Sequence, residues 1–154
     1  MPDVNPHTDP VDPRTKASCN LEEIFKGFKL HRLVCGSSVG LGWKPLLEGF
    51  VAGCGQPLID RTTIMQVKEK FGGLRLYISV DEEGLDPVRY QELADQAQSL
   101  RRSAEDLSYK TCEWCGKLGS SGTDGGFWTL TLCGGCKDER RHFEKHRFSK
   151  TSTG

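Results

Sequence analysis

Four cysteines carry the plainest chemistry in this chain. Cys112 and Cys115 form one C-x2-C pair, and after seventeen intervening residues Cys133 and Cys136 form another. A single tight turn can present two thiolates spaced this way to one ion. Two such turns supply the four ligands that a tetrahedral zinc site takes. Glycines stand where the turns are tightest, Gly116 behind the first pair and Gly134-Gly135 within the second. Four thiolates fill the shell and leave no position for water, so the expected cofactor is one structural Zn2+, not a catalytic one. Two disulfides are the competing arrangement, and they need an oxidising compartment. Met1–Cys19 has neither the charged start nor the apolar run of an export signal. A reducing cytoplasm is therefore expected, with Cys19, Cys35 and Cys54 as reduced, mostly buried thiols.

Other constellations are thinner. His142 and His146 stand four apart on one helical face, a spacing that suits a metal pair, but no third ligand is spaced to join them. They read as surface histidines. No P-loop, dinucleotide fingerprint or H-E-x-x-H occurs, and the Gly-rich Gly119–Gly126 run lacks the lysine of a phosphate cradle. No catalytic residue is nominated, no small-molecule substrate is indicated, and the chain reads as a binding protein and not an enzyme.

Charge narrows the partners. The chain of 154 residues has 21 basic and 21 acidic side chains, a formal net charge of zero. Any nucleic-acid site must then be a local patch. Two patches qualify: Lys68, Lys70 and Arg75 near a hairpin turn, and Lys137, Arg140, Arg141, Lys145 and Arg147 on a helix after the last cysteine. For the first, a solvated hairpin end is the plainer reading; the second is a mildly basic helix, not a strongly basic one. No apolar run approaches the ~20 residues needed to span a bilayer, so no membrane partner is expected.

The elements that position these residues follow from periodicity. Met1–Ser18, with Pro2, Pro6, Pro10 and Pro13, reads as a disordered tail. Asn20 is placed to cap a short helix with Glu23 reaching back, and Leu21, Ile24, Phe25 and Phe28 follow at helical spacing. Leu30–Cys35 continues that helix or forms a short strand, and Gly36–Gly42 is a loop. Trp43, Leu46, Leu47, Phe50 and Val51 make one buried stripe of a helix that Gly53 and Gly55 close. In Thr62–Val80, Leu74, Leu76, Ile78 and Val80 alternate with Arg75, Tyr77 and Ser79. With Met65 and Val67 upstream and Gly72-Gly73 as the turn, this is a β-hairpin. Asp86-Pro87 opens a long helix with the seam Leu93, Ala97, Leu100, Ala104 and Leu107. That seam is read as packing on the hairpin in preference to pairing with a second copy. Gly119–Gly126 reads as a loop, Phe127–Leu132 as a strand delivering the second cysteine pair, and Trp114 and Trp128 as packing against the knuckles.

The expected fold is α+β: amphipathic helices on a β-hairpin or small antiparallel sheet, with a C-terminal four-cysteine zinc-ribbon or knuckle module. The expected divisions are a tail over 1–18, an α+β domain over 19–108, the zinc module over 109–148 and a tail over 149–154.

The Lys68–Tyr77 string KEKFGGLRLY, the preceding Gly42-Trp43, the C-x-x-C-G of Cys112–Gly116 and the W-x-x-T-L-C of Trp128–Cys133 resemble a family of small uncharacterised bacterial and phage proteins. The resemblance spans about Gly42–Cys136. It departs at Cys136, where the family often has histidine, and it implies no activity. It implies a bacterial cytosol, including that of a phage-infected host. GATA-type fingers resemble the module in spacing, an internal Trp and a following basic helix, but their surrounding basic residues are lacking. The small four-cysteine regulators of bacterial RNA polymerase space their cysteines similarly, yet carry a coiled-coil hairpin that the Thr62–Val80 strands contradict. HNH nucleases also frame their sites with C-x-x-C pairs, but no His or Asn lies between Cys115 and Cys133. The function expected is a protein-interaction factor with structural zinc, including a phage factor acting on a host protein. The alternative is a nucleic-acid-binding protein or transcriptional regulator using the module and its basic helix.

Overall fold

A β-hairpin forms the spine of the fold: β2 (Thr62–Lys70) pairs antiparallel with β3 (Gly73–Val80). The computed structural model describes residues 17–124 and 126–151. The Pro-rich run before Ala17, and with it nearly all of the expected tail, lies outside these residues. Ser18 does not belong to a tail: it forms a bridge with Gly40.

The hairpin turn is one residue earlier than expected, at Phe71-Gly72, because Lys70 pairs with Gly73. Both turn residues have positive φ, 53° and 86°, which is the requirement of the tight turn whose twist matches a hairpin. Glycine meets that requirement at no steric cost, whereas a phenylalanine in left-handed backbone costs about 1–2 kcal/mol. Along β2 the register shifts between Ile64 and Gln66. The bulge at Met65 lets Ile64 and Val67, three residues apart, both face inward, which strict alternation would not allow.

A third strand joins the hairpin. β1 (Lys29–Leu30) pairs parallel with β2, giving the order β1-β2-β3, so the small sheet is mixed and not wholly antiparallel. Asn20 caps α1 (Leu21–Ile24) by accepting from Glu23 N at 3.2 Å. Leu30–Cys35 is both strand and helix. After β1 the imidazole of His31 accepts from Leu33 N at 3.2 Å and starts α2 (Arg32–Cys35). A 3-10 turn over Leu41–Trp43 leads into α3 (Lys44–Ile59). Gly53 does not end α3; the helix kinks at Gly55 (φ 68°, ψ 160°) and resumes through Pro57 to Ile59.

These helices cover one face of the sheet. Trp43, Leu47, Phe50 and Leu58 of the α3 region meet Ile64, Val67, Leu74 and Leu76 of the hairpin, all essentially water-free. Phe25 stands edge-on to Phe28 and Phe50, with centroids 5.7 and 6.3 Å away. The long helix α4 (Pro87–Ser108) starts at Asp86, whose carboxylate accepts from Val88 N and Arg89 N, both at 3.0 Å. It packs on α3 and β3, so its seam is used within the chain. Leu93, Ala97 and Ala104 are buried, Leu100 is partly so, and Leu107 at the end remains 50% exposed.

α4 also closes the free edge of β3. Leu74 N donates to Ser108 Oγ (2.8 Å) and Leu76 N to Glu105 Oε2 (2.9 Å), so side chains stand in for a missing neighbour strand. Leu76 therefore sits where three elements meet. Leu76→Asp should cost more than about 3 kcal/mol by placing an unpaired charge in the core. Urea denaturation followed by far-UV circular dichroism should show loss of the cooperative transition.

Candidate metal centre

The C-terminal module is built from two turns and a short hairpin. Cys112 N donates to Lys117 O (2.7 Å) and Gly116 N to Cys112 O (2.9 Å), folding Cys112–Gly116 into a knuckle. β4 (Ser120–Gly122) and β5 (Leu130–Leu132) pair antiparallel and return the chain to the knuckle. Cys133 then precedes α5 (Gly134–Thr151), and Cys136 lies in its first turn. The second pair thus sits at a helix start and not in a second free-standing turn.

This geometry gathers the four expected ligands. The Sγ atoms of Cys112, Cys115, Cys133 and Cys136 all lie within 4.8 Å of one another, and Cys115 and Cys133 are 3.5 Å apart. Tetrahedral thiolate coordination with bonds of ~2.3 Å needs sulfurs about 3.8 Å apart. All seven cysteines are unbridged, so the disulfide alternative is not the one adopted. The residues fit a single metal ion. Cys136 N, 3.5 Å from Cys133 Sγ, is the main influence drawing that thiol down to about 7. Burial pushes the Cys115 and Cys136 thiols up. A metal entering this group would displace protons from sulfur, which makes its affinity depend on pH.

Among the described residues the module has little apolar core: Cys112, Leu130, Leu132 and Cys133, with Trp114 and Cys136 packed against them. It is fastened to the rest of the chain by polar contacts. Trp43 Nε1 donates to Thr111 O (2.9 Å), Gly42 N to Glu113 O (2.8 Å), and Gly40 N to Glu113 Oε2 (3.0 Å). Thr131 Oγ1 donates to Gly72 O at the hairpin turn (2.6 Å). A Cβ on Gly42 would collide with the carbonyl of Cys112, so this approach requires glycine. Burial raises the Glu113 carboxyl to about 7, against the opposing effect of the Gly40 N–H, with nearby Glu69 adding to the rise.

The basic helix is largely spoken for. Arg140 is only 3% exposed; its guanidinium donates to Trp128 O (2.5 Å) and Gly122 O (3.3 Å). Arg141 pairs with Asp124 (3.1 Å) and Asp138 (2.9 Å), and Lys137 Nζ donates to Ser120 Oγ (2.5 Å). Lys145 and His142 are exposed, while the side chains of His146 and Arg147 lie outside the described residues. The Gly119–Gly126 run is therefore part strand and part arginine-held turn, where the sequence indicated only a loop. Phe127 and Trp128 precede β5, and Trp128 is exposed where packing was expected; Trp114 is partly buried as expected. Lys68, Lys70 and Arg75 stand together on the hairpin, partly or fully exposed. Glu113 was missed in sequence, and Arg140 was read there as a cation of a surface patch, because a buried charge carries no periodic or spacing signal.

The remaining thiols differ from expectation at one place. Cys54 is buried and Cys19 partly so, and burial raises both to about 11, but Cys35 is exposed. No family model matches the chain, no curated protein matches it, and no solved structure matches it.

Cobalt(II) added to the reduced apoprotein should give the visible d–d bands of a tetrahedral tetrathiolate. Cys112→Ser should weaken those bands and unfold the module. Retained bands with unchanged protease resistance would remove Cys112 from the ligand set. Glu113 gives a pH signature. Its folded-state value lies above its unfolded one, so the folded state holds the proton more tightly and stability falls as pH rises from about 4.5 to 7. Glu113→Gln should be near neutral at pH 5 and stabilise by about 1–3 kcal/mol at pH 8, read from melting midpoints.

Proposed function

We propose that this chain is a non-enzymatic binding protein in which one Zn2+ plays a structural part. The observation that carries the reading is the closed set of four sulfurs within 4.8 Å, in a module whose own apolar core is too small to fold unaided. Four thiolates suit zinc or iron and leave no coordination position for a substrate or water. Zinc is preferred because a closed zinc site contributes folding energy outright, which a module with so small an apolar core needs.

The partner reading divides in two. A protein-interaction factor, including a phage-encoded one acting on a host protein, is supported by overall neutrality and by exposed apolar side chains such as Leu118 and Phe127. A specific observation favours the second reading, nucleic-acid binding. Charge that cancels over the whole chain is segregated in the fold, with Lys68, Lys70 and Arg75 together on the hairpin. Support for the α5 helix as that site is weaker, since Arg140 and Arg141 are engaged within the module.

Elemental analysis of purified protein tests the zinc assignment. One zinc per chain is expected, and chelation should lower the melting midpoint while leaving the far-UV signal of α3 and α4 largely in place. Iron in stoichiometric amount, or no change in melting after complete metal removal, would overturn the structural-zinc reading.

A further inference from the structure

The sheet has two unlike faces. Inward positions Ile64, Val67, Leu74 and Leu76 meet the helices. Opposite them, the register places Lys70 against Gly73, Lys68 against Arg75, and Gln66 against Tyr77. The bulge at Met65 sets this phase, and no aspartate or glutamate occupies an outward position of β2 or β3. Glu69 falls on the other side, where its carboxylate accepts Gly72 N at 2.7 Å.

Aromatic rings interleave with these cations. Lys68 Nζ lies 5.5 Å from the Tyr77 ring centre, Lys70 Nζ 5.7 Å from that of Phe71, and Arg75 5.9 Å from that of Tyr109. The rings remain accessible: Tyr77 is 42% exposed and Phe71 74%. Phe71 is also held in left-handed backbone at the turn, an expensive place for a large apolar side chain unless the ring is used. Beside Tyr77 a cleft of about 270 Å³ opens between β3 and α4, lined by Leu76, Ile78, Gln98 and Arg101. The carboxylate that bears on Arg75 is that of Glu105, already bonded to Leu76 N and paired with Arg101 at 2.7 Å.

We propose that this outward face, carrying Lys68, Lys70, Arg75, Phe71, Tyr77 and Tyr109, binds single-stranded nucleic acid. The cations complement the phosphates and the exposed rings stack on the bases. Successive outward positions on a strand lie about 6.8 Å apart, twice the strand rise. Stacked bases lie ~3.4 Å apart along a duplex strand. The face therefore suits a chain whose bases have separated and stack on side chains, whereas a duplex presents no free base faces. The inference rests on the reading of the chain as a binding protein and not on which metal fills the C-terminal site.

The experiment is fluorescence anisotropy of the metal-loaded 154-residue chain with two labelled probes, and with dextran sulfate as a competing polyanion. One is an oligothymidylate of about 12 nucleotides, within the span of a small single-strand site; the other is a mixed-sequence duplex. Metal content is measured on the same samples, so a failure of the zinc assignment registers separately. Binding to the single strand should exceed binding to the duplex and weaken roughly 20-fold between 50 and 200 mM salt, as expected for about three neutralised phosphates. Tyr77→Ala should weaken it at least about fivefold while Tyr77→Phe retains it. Lys68→Gln should lower the salt slope by about 0.7, and Lys145→Gln on α5 should change nothing. No binding at the lower salt concentration would overturn the proposal. Equal affinity for duplex or dextran sulfate, or binding indifferent to Tyr77→Ala and Lys68→Gln, would overturn it too. A protein ligand displaced by those same variants, with no oligonucleotide bound, would reassign the face to a protein partner.

Discussion

The indole N–H of Trp43, bonded to the carbonyl of Thr111, ties the two halves of this protein together. Its ring lies fully inside the hydrophobic core, and its acceptor is the residue before the first cysteine of the four-sulfur group. One side chain therefore belongs to both centres. Around it, Gly42 lets the knuckle carbonyls come close, and Glu113 takes backbone donors from Gly40 and Gly42 with its side chain and its carbonyl. Losing any one of these bonds would leave a partner group desolvated and unpaired, which costs more than the bond contributes. The four-sulfur group is thus fastened to the core as well as joined to it in sequence, and its module bears on the hairpin through Thr131 and Gly72.

That fastening explains how a modest core supports an exposed, costly surface. The hairpin has one face buried by helices and one edge closed by Ser108 and Glu105. Its other face needs no covering because its side chains are long, amphipathic and paired cation on ring. Lysine and arginine stems can cover aromatic surface while their charges stay in water. With the β3 edge capped, strand-to-strand aggregation is discouraged, and the rings are presented on a rigid platform.

The same economy runs through the C-terminal module. With four buried apolar residues among those described and a Gly-rich return, it needs other means to hold its shape. Arg140 supplies one by bonding two carbonyls across the turn, and Arg141 another by bridging Asp124 and Asp138. A helix basic in composition can thus be structural in use.

Much was legible from sequence because it depends on local spacing. The cysteine pairs, the Asp86 cap, the long α4 and the alternation in β3 each require only neighbours a few residues apart. The α+β class and the four-sulfur group followed directly. What only the tertiary structure decided were matters of contact between distant segments: β1 joining β2 in parallel, the bulge that rephases β2, and the seam of Trp43, Gly42 and Glu113. The fate of each cation was decided in the same way. Lys68 and Arg140 look alike in a sequence, since both are basic residues near glycines. One ends beside an open tyrosine ring and the other beneath a turn. The physical reason is that burial and pairing are set by what the folded chain brings within a few ångströms, and composition and periodicity carry no record of that distance.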